Sequence, residues 1–130
     1  MSYPAELKYS KEHEWIRVDG KVATIGITFH AQDALGDVVY VEMPSLGKEL
    51  AARQEFGVVE SVKSVSSLFC PVSGKVIERN AELEKRPELI NSSPYESGWI
   101  IKVEMSDPAE LNKLLSAADY QKTLPPAHKH

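Results

Sequence analysis

The sequence predicts a mainly β fold, a sandwich or small barrel with short helices at its flanks. Three observations carry this. Short β-branched or alternating runs recur along the chain and are punctuated by turn residues. Asp19-Gly20 joins two such runs with only two residues, a strong hairpin signal. Asp107-Pro108-Ala109-Glu110 opens a C-terminal helix, with Asp as cap and Pro at the first helical position.

The elements follow in order. His13 to Val18 alternates weakly, and Lys21 to Thr28 returns from the Asp19-Gly20 turn as a β-branched strand. Phe29 to Leu35 carries Ala31, Ala34 and Leu35 and ends at Gly36, the pattern of a short helix that Thr28 caps. Asp37 to Met43 is a strand stopped by Pro44, and Ser45-Leu46-Gly47 is a turn. Phe56 to Val62 and Val65 to Phe69 form two β-rich runs joined like a hairpin. A second turn spans Pro71 to Gly74, and Lys75 to Arg79 is the next strand. Asn80 caps a short helix, Ala81 to Lys85, which halts before Pro87. Trp99 to Glu104 is the last strand. Beyond the Asp107 cap, Leu111, Leu114 and Leu115 share one helical face, and Ser116 restarts a turn through Tyr120. The Pro-rich polar tail, Leu124 to His130, is expected to be disordered.

Bulk properties exclude several classes. A length of 130 residues fits one domain, with 42% apolar and 26% charged residues. No apolar run is long enough to span a bilayer, and Met1 to Lys8 carries neither a secretory nor a transit-peptide pattern. The formal net charge is −4 with no Lys/Arg cluster, which disfavours nucleic acid as a partner. Cys70 is the one cysteine, so no internal disulfide is available, in keeping with a reducing compartment.

Lys63 is the most informative position. It lies between the two hairpin runs, in Glu60-Ser61-Val62-Lys63-Ser64-Val65-Ser66. A lysine at such a tip is exposed, fixed by its flanking strands and reachable by a modifying enzyme. Turn lysines are commonplace, so the position alone does not identify a function. The chain has no evident catalytic constellation, however, and Lys63 reads as an attachment point for a carried group.

Glu60-Ser61-Val62-Lys63 with Ser66 resembles the lipoylation motif of the glycine cleavage H-protein family. Further blocks resemble that family in the same order: Lys11-Glu12-His13-Glu14-Trp15, Val22 to Thr28, His30-Ala31-Gln32, Leu35-Gly36-Asp37, Asn91 to Tyr95 and Gly98-Trp99. The resemblance runs from about Leu7 to about Tyr120. It implies a flattened hybrid of barrel and sandwich, as in lipoyl and biotinyl carriers, with residues 1–123 as a single carrier domain and 124–130 as a tail. It implies lipoate bound covalently to Lys63, with Glu60, Ser61 and Ser66 contributing to recognition. Biotinyl domains place methionines beside their lysine, and 2-oxoacid dehydrogenase lipoyl domains place an acidic residue before it. Val62 and Ser64 fit neither pattern.

By the resemblance, the chain is a carrier and not itself an enzyme. It would take an aminomethyl group from the pyridoxal-phosphate glycine decarboxylase to the tetrahydrofolate-dependent aminomethyltransferase. Electrons would pass to dihydrolipoamide dehydrogenase, and lipoate-attaching enzymes complete the implied partners. No nucleic acid or membrane is implied. A monomer is expected, in the bacterial cytoplasm, or in the mitochondrial matrix for a processed eukaryotic form. An alternative with the same lysine is a relay that donates lipoate or octanoate to other lipoyl proteins. A second alternative is a plain interaction module without a cofactor.

The family also implies that Glu14 contacts the amine of the loaded arm. The implied contact is one partly exposed charge pair; from its position alone, Glu14 reads as a solvated strand carboxylate. His13 and His30 lack a second ligand at metal spacing and read as structural or surface residues. His128 and His130 read as a coincidental tail pair. Cys70, in an apolar stretch without an adjacent histidine, reads as a buried inert thiol. Trp15 and Trp99 read as core or cleft-wall residues, and Gly26, Gly36 and Gly57 as turn or close-packing positions. Three residues depart from the family pattern: Phe29 and Ser67 stand where acidic residues are common, and Ser64 where alanine is common.

Overall fold

The computed structural model describes residues 3–124. Nine strands form two antiparallel sheets. The larger sheet contains β1 (Lys8–Tyr9), β2 (Glu14–Asp19), β3 (Val22–Ile27), β9 (Ile101–Met105), β8 (Gly74–Arg79) and β5 (Glu49–Leu50), paired in that order. The smaller contains β4 (Val38–Glu42), β6 (Glu55–Ser61) and β7 (Val65–Phe69), again in that order. Between the sheets lies a shared core to which Ile25, Val76 and Val103 contribute from one side and Val41, Val59 and Leu68 from the other. Two packed sheets without closure into one barrel are the flattened sandwich-barrel arrangement that the family resemblance implies.

Local chemistry explains the elements that position the Lys63 hairpin. Helix α1 (Phe29–Leu35) begins where the Thr28 hydroxyl accepts the Ala31 N–H at 3.2 Å, the cap expected from the sequence. It ends at Gly36, whose φ of +83° is a conformation that glycine adopts without steric cost. Asn91, on α3 (Leu89–Ser92), donates to the Gly36 carbonyl at 2.8 Å and accepts the Val38 N–H at 2.8 Å. The end of α1 and the start of β4 are thus fastened together.

A second cluster joins the termini. Leu7, Tyr9, Trp15, Ala117 and Tyr120 are all buried in it. Gly26 pairs across the ladder with Trp15, and the indole occupies the space where a side chain at position 26 would lie. The indole N–H donates to the Pro94 carbonyl at 2.9 Å.

The C-terminal segment corrects one sequence expectation. Asp107 does cap a helix, accepting the Ala109 N–H at 3.2 Å, but the helix is a 3-10 turn over Pro108–Lys113. Leu114 and Leu115 lie beyond it, and Leu115 exchanges backbone hydrogen bonds with Tyr9 at 2.8 and 2.9 Å. The cause is Glu110, whose carboxylate accepts both the N–H and the hydroxyl of Ser73 and so anchors the segment to the body of the fold. The α-helix comes later, as α4 (Ala117–Lys122), capped by Ser116. The helix expected at Ala81 to Lys85 is α2 (Glu82–Lys85), and Asn80 holds its start by accepting the Glu82 N–H. The expected tail lies outside the described residues except for Leu124, which packs against the Trp15 cluster.

Replacing Gly26 tests the tightest of these contacts. A Cβ there would lie 2.7 Å from the buried Trp15 ring. Gly26→Ala should lose about 1–3 kcal/mol of stability, read as a lower denaturant midpoint, because an overpacked core has no free direction in which to relax. An unchanged midpoint would mean that the indole moves freely.

Candidate functional site

Lys63 stands on a two-residue turn, and Ser61 builds that turn. The Ser61 N–H donates to the Ser64 carbonyl at 2.8 Å. The return bond goes to a side chain: Ser61 Oγ accepts the Ser64 N–H at 3.1 Å and the Lys63 N–H at 3.3 Å. Neither Val62 nor Lys63 has a positive φ, so this is not one of the primed turns that usually close two-residue hairpins. The serine hydroxyl substitutes for a backbone acceptor. A further bond, from the Val62 N–H to the Asp37 carbonyl at 3.0 Å, anchors the turn to the end of α1. Ser61 is itself buried, so its contribution is to the shape of the turn. The Lys63 stem runs over Gly36. Val62 and Val65 flank the lysine and are 69% and 67% exposed. Glu60 lies in one cross-strand row with Tyr40 and Val65.

Beside the turn runs a cleft of about 330 Å³. One wall is α1, through His30, Ala31, Ala34 and Leu35, and the other is β7 from Val65 to Leu68. Ile27 and Val59 add apolar surface, and Glu12, His13, Glu14 and Ser64 complete the lining. Its size is within the range of small-molecule sites, about 300–1,000 Å³. β7 is an edge strand. The Ser61–Ser64 bond fixes the ladder phase, so Val65, Ser67 and Phe69 turn their amides to the free edge. Ser66 also lines the cleft. Another hollow, of about 260 Å³, is bordered by Lys11, Arg53, Cys70 and Lys113, and Lys63 is not part of it.

Glu14 differs from its sequence reading. It is 1% exposed, not solvated. Ser10 Oγ donates to Oε1 at 2.6 Å and the Phe69 N–H donates to Oε2 at 3.1 Å. Burial pushes the carboxyl up to about 8; the two hydrogen bonds oppose that rise, and the charge of Glu12 adds to it. A neutral carboxyl at the cleft wall is therefore the resting form at neutral pH, and burial has replaced the partly exposed charge expected from the sequence.

Sequence reasoning placed His13 and His30 without connecting them. Their rings lie 4.8 Å apart on the cleft lining. Among the described residues, no group of three or more His, Cys, Asp or Glu side chains could hold a metal ion. Cys70 is buried, donates to the Val72 carbonyl at 3.0 Å and has its thiol pushed up to about 12, chiefly by burial. It has the properties of the inert packing residue anticipated above. Trp99, by contrast with the fully buried Trp15, sits beneath Lys102, whose ammonium lies 5.1 Å from its ring centre. Ser64 and Ser67 line the cleft, and the exposed Phe29 donates its N–H to the Tyr95 hydroxyl at 2.8 Å.

The Glu14 carboxyl gives stability a definite pH dependence. Its folded value lies above the ordinary 4.5. The folded state therefore keeps a proton that the unfolded chain releases. The stabilising contribution is complete below about pH 4.5 and is lost as pH rises through about 8. Glu14→Gln should remove this slope, so stability relative to wild type should shift across that window by on the order of a few kcal/mol. Denaturant midpoints measured across the window test it; parallel curves for the two proteins would contradict the assigned protonation state.

The same arrangement recurs in known proteins. The family model described as glycine cleavage H-protein matches residues 7–127. The chain is 64% identical over 117 residues to the glycine cleavage system H protein of Symbiobacterium thermophilum, covering 90% of this chain and 91% of that one. It is 57% identical over 121 residues to the protein of that name from Carboxydothermus hydrogenoformans, covering 93% of each. A crystal structure of a glycine cleavage system H protein from Mycobacterium marinum superposes with a TM-score of 0.84 at 36% identity, over 93% of this chain and 99% of the other. With the match extending through the Lys63 hairpin, both cleft walls and the terminal cluster, the chain belongs to the glycine cleavage H-protein family.

Proposed function

We propose that Lys63 carries lipoate and that this protein is the non-catalytic shuttle of the glycine cleavage system. The observation that supports this best is spatial: an exposed lysine on a braced turn opens beside a cleft that has apolar and serine-lined surface and one buried carboxyl. A lipoyl arm fits those features. The exposed Lys63 side chain leaves its amine open to acylation, and Ile27, Ala31, Leu35 and Val59 offer apolar surface to a hydrocarbon chain. When attached, the lipoyl group supplies a disulfide able to accept an aminomethyl group and two electrons. The protein's own residues present, shelter and release that cargo.

Each of these tasks has its residues. Ser61 holds the turn in one shape, while Glu60, Ser66 and the exposed Val62 and Val65 give a lipoate-attaching enzyme polar and apolar surface to grip around Lys63. Glu14 selects the cargo. An aminomethyl amine is a cation, and it brings the countercharge that burial denies the empty carboxyl. On docking, the amine arriving in its neutral form takes the Glu14 proton, and the carboxylate and ammonium so formed become partners. Such a pair, enclosed and already oriented by Ser10 and the Phe69 amide, is stronger than an exposed surface pair, which contributes about 0–1 kcal/mol. The cleft also limits water around the cargo, which otherwise hydrolyses to ammonia and formaldehyde. Glycine decarboxylase would load the arm, aminomethyltransferase would unload it and dihydrolipoamide dehydrogenase would reoxidise it. The bacterial origin of the similar proteins supports a cytoplasmic setting.

A lipoate or octanoate relay needs the same lysine but has no use for a buried acid positioned for a cation. Glu14 therefore favours the shuttle. Incubation with lipoate ligase, ATP and lipoate should add one lipoyl mass to the wild-type chain, mapped to Lys63, and none to Lys63→Arg, which keeps the charge but not the acylable amine. Modification elsewhere, or none with active ligase, would overturn the assignment.

Glu14→Ala should be lipoylated normally. Ammonia release from isolated protein carrying its aminomethyl cargo, without aminomethyltransferase, should rise about ten- to hundredfold, as expected for losing one charge-assisted hydrogen bond of about 1.5–3 kcal/mol. Equal release rates would remove Glu14 from the mechanism.

A further inference from the structure

Behind the cleft wall, His13, Tyr120 and Thr28 form a continuous hydrogen-bonded chain. His13 Nδ1 lies 2.7 Å from Tyr120 Oη, and Tyr120 Oη lies 2.8 Å from Thr28 Oγ1. Thr28 Oγ1 also accepts the Ala31 N–H, as the cap of α1. The arrangement is tightly held. Tyr120 stacks on Tyr9 with ring centres 4.9 Å apart, and both rings are fully buried. His13 has a φ of +74°, a conformation uncommon for residues other than glycine.

Only one direction of bonding satisfies every proton. If Thr28 donates to Tyr120 and Tyr120 donates to His13 Nδ1, both hydroxyl protons have acceptors. If His13 instead donates from Nδ1, Tyr120 must donate to Thr28. The Thr28 hydroxyl proton is then stranded in a residue with 0% exposure, because among the described residues Tyr120 is the one acceptor bonded to it. Buried hydroxyls left without an acceptor are strongly disfavoured. Protonating His13 would force the same reversal, because both ring nitrogens of the cation are donors.

We propose that Tyr120 is a positioning residue for the cleft: by donating to His13 Nδ1 it holds the ring neutral with its proton on Nε2, and so keeps His13 from adding positive charge to the cleft lining that Glu14 shares. The geometry stands independently of the carrier reading, while its purpose, retention of a cationic cargo, rests on that reading. The groups around His13 act in opposite directions. His30, from α1, disfavours charge on the His13 ring, whereas Glu12 favours it; Glu14 is the cargo's own partner. β7 contributes no titratable side chain to the cleft. Burial and His30 outweigh Glu12 and push His13 below the usual histidine range, in the direction the chain requires. A residue on the C-terminal helix, with no place on the cleft lining, thereby sets the charge state of one residue of that lining.

Long-range proton–nitrogen NMR on the unlipoylated, nitrogen-15-labelled protein reads the tautomer directly. In wild type the His13 proton should reside on Nε2. Tyr120→Phe keeps the ring stack and removes the hydroxyl, so both tautomers should become populated. A wild-type proton on Nδ1, or a tautomer ratio unchanged in Tyr120→Phe, overturns the proposal. The functional arm follows ammonia release from cargo-bearing protein between about pH 5.5 and about 8, the range in which histidines charge. Release from Tyr120→Phe should exceed wild type several-fold at the acid end and match it at the alkaline end. Parallel profiles overturn the positioning role. If instead Glu14→Ala releases at the wild-type rate, the carrier reading of Glu14 fails, and the tautomer result still decides the chain.

Discussion

The buried carboxyl of Glu14 is the constraint on which the site depends. It lies where the start of β2, the Ser10 turn and the free edge of β7 converge. Its bond to the Phe69 amide ties the larger sheet to the edge of the smaller one. The same bond occupies an edge amide that would otherwise lie open beside the cleft. Enclosure raises the free energy of the ionised form, so the carboxyl rests with its proton on. A structural bond and a latent charge thus reside in one side chain. Fully solvated, the carboxylate would be ionised at all times and would discriminate less between neutral and cationic cargo.

At the other end, the Lys63 turn meets an opposite requirement. It must be exposed to several enzymes and still have a defined shape. Tight hairpins usually obtain that shape from glycine or asparagine at positive φ. Here the Ser61 hydroxyl supplies it instead, which leaves both turn positions open to other side chains. Gly36 is under the lysine stem for a related reason. A Cβ at position 36 would lie 3.4 Å from the Lys63 side chain, and the positive φ of Gly36 ends α1 just before it reaches the turn. Cap, helix end and lysine turn are consecutive consequences of Thr28, Gly36 and Ser61.

What was legible in the sequence was local. The Thr28 cap, the Gly36 stop, the hairpin around Lys63 and the Ser116 restart all depend on residues within a few positions of one another. The caps and the stop follow from cap and turn chemistry, and the Lys63 hairpin from the two β-rich runs that flank it. The two-residue strands β1 and β5 and the four-residue helix α3 are too short to have a periodicity and went unseen. The C-terminal helix was misplaced because Glu110 is bonded 37 residues away, at Ser73, where no capping rule would look. Distance in sequence also hid the chemistry of the cleft. Glu14 is buried against an amide 55 residues downstream, and His13 bonds a hydroxyl 107 residues away. The family motif marked Glu14 as functional; its neutrality came only from the packing.

The most direct test is a carbon-13 titration of the Glu14 carboxyl in the unlipoylated protein, assigned by its loss in Glu14→Gln. The account predicts a carboxyl still protonated at neutral pH, with a midpoint of about 8. A midpoint near the ordinary carboxyl value of about 4.3 would contradict it, because the cleft would then hold a permanent negative charge and its cargo would bind by simple surface pairing.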